Sequence, residues 1–153
     1  LVIWDSLAIV EYLAEKFPDK KLWPEDSARR AHARSISAEM HSGFAALRNE
    51  CGMNLHRPVG AIALSDDARA NVARVQEIWS ECHHRYGGPF LFGAFGAADA
   101  MYAPVVHRFR TYAIEVERDA RHYVEAMQSL PAFQQWTREG LAETLLIERF
   151  ETA

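Results

Sequence analysis

Cysteine is scarce: Cys51 and Cys82 are the only two, and neither has a second cysteine at the CxxC spacing that zinc or dithiol chemistry uses. Both are expected to be buried, inert thiols. Basic charge is not in excess either, with Lys and Arg numbering 17 against 21 Asp and Glu for a net charge of −4. Binding a phosphate backbone requires clustered surplus cations, and Arg29-Arg30 sit beside Glu25 and Asp26, so general nucleic-acid affinity is not expected. No apolar run approaches the roughly 18 to 20 residues of a membrane span, and no basic stretch of a secretory signal stands at the beginning. The expected location is cytoplasmic. Internal repeats and low-complexity runs are missing as well, so disorder is not expected.

What is present is a chain of 153 residues, 49% hydrophobic and 25% charged, enough for one ordinary domain with a sizeable core and little for a second. Leu1-Val2-Ile3-Trp4 is a β-prone run ended by Asp5-Ser6, two residues that favour a helix start. A strand needs partners, and none follows. From Leu7 the apolar residues adopt helical spacing, with Ile9, Leu13 and Phe17 on one stripe and Leu7, Val10 and Ala14 beside it, until Pro18 ends the segment. After the turn-rich loop 19–25 the chain reads as helices joined by loops, one of them bracketed by Gly52 and Pro58. A long helix is expected over 26–50, with Ile36, Met40, Phe44, Leu47 and Cys51 on one face and small neighbours at Ala38, Ser42, Gly43, Ala45 and Ala46. The next opens at a cap on Asp66 or Asp67, carries Ala68, Val72, Val75, Trp79, Cys82 and Tyr86 as its core stripe, and stops at Gly87-Gly88-Pro89. A connection over 90–95 leads to a helix from Ala97 that turns Tyr102, Val105, Val106 and Phe109 inward and contains Pro104, where a kink is expected. Shorter helices are expected over 117–129 and 131–143, the second with proline at its favoured first position. Residues 145–150 are expected to pack back as a short amphipathic segment.

Few residues suggest chemistry. Asp5-Ser6 at a helix N-terminus offers unpaired amides, a hydroxyl and a carboxylate, which suits either simple capping or the two charged ends of an amino-acid-like ligand. Asp99, three residues after Gly96, can accept from the first-turn amides, and Phe95 stands where an apolar residue staples the helix entry. Gly96 cannot return a side-chain bond, so this is half of a capping box, and a folding device. His32, His41, His56, His83 and His84 form a dense set, but adjacent helical positions point about 100° apart and cannot share an ion in the i, i+4 manner. No metal site is expected, and no Ser-His-Asp or Cys-His pairing follows from spacing.

Asp5-Ser6-Leu7-Ala8-Ile9-Val10-Glu11-Tyr12-Leu13 resembles the (Glu/Asp)-Ser-x-Ala-Ile-x-x-Tyr-Leu motif of glutathione transferases. Phe92-Gly93-x-Phe95-Gly96-x-Ala98-Asp99-x-x-x-Ala103-Pro104 resembles their capping-box and staple motif, and 40–54 resembles one bacterial branch. The resemblance implies an all-α, transferase C-terminal-like helical bundle over 26–153, a linker over 19–25, and at 1–18 the last strand and helix of a thioredoxin-like domain. It gives Asp5 the ammonium and Ser6 the carboxylate at the γ-glutamyl end of glutathione, the co-substrate, with no other cofactor. It places the residue that activates the sulfur upstream of Leu1, so the expected catalytic set within this chain is empty. The second substrate, a small apolar electrophile, is expected to meet Met40, Phe44, Met53 and Asn54, with plain core as the competing role for Met40 and Phe44. The parent is expected to be a homodimer with the 26–50 helix at its interface, and to be either a conjugating enzyme or a non-catalytic binding or protein-interaction module.

Overall fold

The computed structural model describes residues 1–145, which form a helical bundle of α1 (Ser6–Lys16), α2 (Ser27–Ser42), α3 (Ala45–Glu50), α4 (Asp66–Tyr86), α5 (Ala97–Thr111), α6 (Arg118–Ser129) and α7 (Pro131–Ala142). Among the described residues there is no strand beyond two isolated bridges, Phe90 with Gly93 and Phe92 with Ala94. The run Leu1 to Trp4 is therefore not a strand here. With no ladder to join, its backbone stays irregular, and Leu1, Val2 and Trp4 are exposed. The segment expected over 145–150 lies outside the described residues apart from Leu145, which is exposed.

At the centre of the core lies Trp79 of α4, fully buried, with ring centroids 5.1 Å from Phe109 of α5, 5.1 Å from Tyr123 of α6 and 6.2 Å from Tyr102 of α5. The predicted stripe of α4 is the reason: Ala68, Val75, Trp79 and Cys82 all fall on its buried face. The helix begins one residue earlier than the aspartates suggested, because Ser65 Oγ accepts from the Ala68 amide at 3.1 Å while its own N–H donates to Glu50 at the end of α3. Around α4, α5 packs on α2, α6 on α4 and α5, and α7 on α6. Burial pushes the thiols of Cys51 and Cys82 up to about 11 and about 12, which keeps both neutral and unreactive near pH 7.

The helix expected over 26–50 is broken in two. Gly43 caps α2, and Phe44 takes a left-handed conformation (φ 56°, ψ 36°) that turns its ring into the core. A Cβ at Gly43 would stand 2.5 Å from the Glu39 carbonyl oxygen, so a side chain there must push the helix end apart. Gly43→Ala is expected to cost about 1 to 3 kcal/mol, measured as a lowered urea midpoint at unchanged m.

Helix α7 is held by a histidine. His107 of α5 stacks on Phe133 at 4.3 Å, edges against Trp136 at 5.0 Å and bonds Thr137 Oγ1 through Nε2 at 2.9 Å. Burial first, and Arg110 second, lower its pKa from 6.5 to about 4. The unfolded chain thus takes up this proton before the folded one. Its contribution is whole above pH 6.5 and is lost as pH falls toward 4, by no more than about 1.4 kcal/mol per pH unit. Asp99 runs the opposite way, because burial raises its pKa from 3.8 to about 6. The check is therefore a difference: between pH 6.5 and 4, wild type should lose stability faster than His107→Gln, and parallel curves would contradict it.

Candidate functional site at the start of the first helix

Asp5 is the N-cap of α1 and carries an uncommon backbone conformation, φ 77° and ψ 128°. Such geometry costs about 1 to 3 kcal/mol in a non-glycine residue and persists only where its surroundings enforce it. The carboxylate does two things. Oδ1 accepts from the amides of Leu7 and Ala8 at 2.9 and 3.5 Å, and Oδ2 meets His41 Nε2 of α2 at 2.9 Å. The other ring nitrogen of His41 lies 3.4 Å from Ser6 Oγ. His41 therefore ties together the two residues singled out in the sequence. Arg34 of α2 reinforces the docking, with Nε and one terminal nitrogen on the two oxygens of Glu11 at 2.9 and 2.7 Å.

Beside Ser6 opens a cavity of about 420 Å³ lined by Ser6, Met40, His41, Arg48, Met53, Ala100, Met101, Pro104 and Arg108. The α2–α3 break shapes one wall. Pro104 of α5 shapes another, and its missing N–H withdraws the usual helical donor from the Ala100 carbonyl. Arg108 Nε donates to the Cys51 carbonyl at 2.8 Å, and Tyr112 Oη to that of Gly52 at 3.0 Å, which fixes the loop carrying Met53 onto α5.

Of the residues expected to meet a second substrate, Met40 and Met53 come together on this wall. Phe44 lies in the core, and Asn54 is buried with its Oδ1 accepting from His56 and Arg57 amides at 2.8 and 3.1 Å; neither lines the cavity. His41, Arg48, Met101 and Arg108 were not read from sequence as site residues. The spacing of Pro104 and Arg108, four apart on one helix, was the only available signal for the last of them. Away from the cavity, Asp99 accepts from the Leu91 amide at 3.0 Å and the Gly96 amide at 2.9 Å, while Phe95 edges against Phe90 at 5.6 Å and remains partly exposed. Among the described residues no group of His, Cys, Asp and Glu is arranged to hold a metal ion, and no helix is long and apolar enough to cross a membrane.

A family profile described as "Glutathione S-transferase, C-terminal domain" matches residues 30–139. The chain belongs to this family. Among curated relatives, this transferase domain is 54% identical over 48 residues to a probable maleylacetoacetate isomerase of Caenorhabditis elegans, covering 31% of the chain and 22% of that protein. It is 25% identical to Protein IN2-1 of Zea mays, covering 90% of the chain and 56% of that protein. With the maleylacetoacetate isomerase of Rattus norvegicus it shares 28% identity, covering 88% of the chain and 62% of the relative. A solved glutathione transferase homolog from Burkholderia GL BGR1, with bound glutathione, superposes with a TM-score of 0.67 at 24% identity, over 94% of this chain and 70% of that one, and so establishes the shared fold. The chain spans little more than half the length of the curated relatives that it matches along most of its own length.

Proposed function

We propose that the domain serves a glutathione transferase that joins the glutathione thiolate to an electrophilic carbon. The observation that supports this reading is the adjacency of Asp5 and Ser6 to a methionine-lined cavity, an arrangement suited to the γ-glutamyl end of glutathione on one side and an apolar partner on the other. Ser6 would hold the carboxylate through its N–H and hydroxyl, and Asp5 the ammonium. The carboxylate of Asp5 already meets His41, so the ammonium would share or displace that partner. Conjugation forms a C–S bond at the electrophile as its leaving group departs, and needs a thiol ionised and held beside that carbon.

The imidazole of the cavity, His41, has its ring nitrogens at Asp5 and Ser6, and the expected source of the thiol-activating group is a thioredoxin-like half, of which residues 1–18 would be the last part. An uncovered apolar face supports that arrangement: Ile9, Leu13 and Phe17 of the first-helix stripe are partly exposed together with Leu1, Val2 and Trp4, whereas Val10 and Ala14 pack on the bundle. A homodimer using α2, and a cytoplasmic location, belong to the same proposal. The test compares glutathione conjugation to 1-chloro-2,4-dinitrobenzene by the full natural-length protein and by residues 1–153 alone. The longer protein should be active and the shorter one should match the uncatalysed rate. Turnover by residues 1–153 would place the activating group within this chain, and none by the longer protein would favour a binding role.

A further inference from the structure

The cavity beside Ser6 is positively charged in a chain whose net charge is −4. Arg48 and Arg108 both line it, and no Asp or Glu does. Among the described residues neither arginine pairs with a carboxylate. Arg48 spends one terminal nitrogen on the His41 carbonyl at 3.0 Å, and Arg108 spends Nε on the Cys51 carbonyl at 2.8 Å, with no hydrogen bond from the terminal nitrogens of Arg108 among the described residues. The nearby acids are otherwise engaged, with Glu50 bound to Ser65, Glu39 to Arg74 and Asp5 to His41. Burial, together with the neighbouring charge of Arg48, lowers the pKa of Arg108, the signature of a guanidinium short of compensating charge. Arg108 is half-buried and Arg48 exposed; a half-buried cation beside a second one is costly to maintain, and an anion between them removes the cost.

The geometry points to an anion subsite: Arg48 and Arg108 receive a carboxylate borne by the second substrate, whose apolar body lies on Met40, Met53, Met101 and Pro104. The inference rests on the glutathione-conjugating function above and narrows its substrate class from apolar electrophiles to carboxylated ones. A planar guanidinium matches a carboxylate through two parallel bonds, and unbranched methionines adapt to varied apolar frames. The same chemistry could be met by a carboxylate of glutathione itself, so the experiment separates the two sources.

The full natural-length protein is titrated by calorimetry, under saturating glutathione, with unreactive 3-nitrobenzoate and its neutral twin 3-nitrobenzamide, and assayed with 4-chloro-3-nitrobenzoate and 4-chloro-3-nitrobenzamide. Wild type should favour the carboxylate at least tenfold in both Kd and kcat/KM. Arg48→Gln should erase most of that preference while changing the neutral twin and the glutathione KM less than about threefold, and Arg108→Gln, which also releases the Met53 loop, should weaken the carboxylate at least tenfold more than the neutral twin. Arg108→Lys should restore part of it, which a merely structural loss would not. Arg48→Gln keeps the test open if Arg108→Gln does not fold, because Arg48 makes a single bond to its own helix pair. Equal affinity for the twins in wild type overturns the inference, and so does a weakened glutathione KM with the twins unaffected, which would assign the anion to glutathione. A binding preference without any turnover would leave the subsite standing and remove the conjugating function.

Discussion

Asp99→Ala is expected to lower the unfolding free energy by about 2 to 5 kcal/mol, among the largest single losses available in the domain. The carboxylate is buried and receives the Leu91 amide on one oxygen and the Gly96 amide on the other. Truncation strands both donors, one at a fully buried position and one at the entry of α5, each costing about 1 to 3 kcal/mol. The same bonds hold the tight connection 90–94 against α5, and the Leu22 carbonyl closes the helix entry by accepting from Ala97 at 2.8 Å. Asp99→Asn should lose less, because its single carbonyl oxygen still serves one donor while its amide nitrogen faces the other. Urea unfolding at pH 7 reads both, and a loss under about 1 kcal/mol for the alanine variant would show that the connection holds without the carboxylate.

Ser6→Ala is expected to weaken glutathione binding about ten- to a hundredfold in the full natural-length protein, as the loss of a hydrogen bond to a charged carboxylate implies. Asp5→Asn should weaken it about tenfold with little loss of stability. Asparagine can still accept from the Leu7 and Ala8 amides, so the cap survives while the charge that would meet the ammonium is gone. Calorimetry with glutathione checks both. Unchanged dissociation constants in the two variants would leave Asp5-Ser6 as an ordinary helix cap.

The parts of the fold that were legible in the sequence are those where local chemistry and burial agree. The α4 stripe through Trp79, the Gly87-Gly88-Pro89 stop and proline at the start of α7 each combine a periodic or conformational signal with a matching place in the bundle. The break at Gly43-Phe44 was illegible because the apolar spacing continues through it. What ends α2 is the gain from turning Phe44 into the core, a tertiary contact that spacing does not encode. The first-helix stripe was legible as amphipathic, yet periodicity says nothing of what covers it, and Ile9, Leu13 and Phe17 remain partly exposed. At the site, Asp5 and Ser6 stood out because adjacent residues make a motif. Arg48 and Arg108 did not, since they come from separate helices and each alone resembles a solvated charge. His41 was visible as a histidine, but its role as the bridge between Asp5 and Ser6 depends on α2 crossing the start of α1.

The most direct measurement is a crystal structure of the full natural-length protein soaked with glutathione. The account predicts the γ-glutamyl carboxylate within about 3 Å of the Ser6 N–H and hydroxyl, the ammonium beside Asp5, and the sulfur facing the cavity of Met40, Met53 and Arg108. Glutathione bound elsewhere, with Ser6 untouched and Asp5 still paired only to His41, would contradict it.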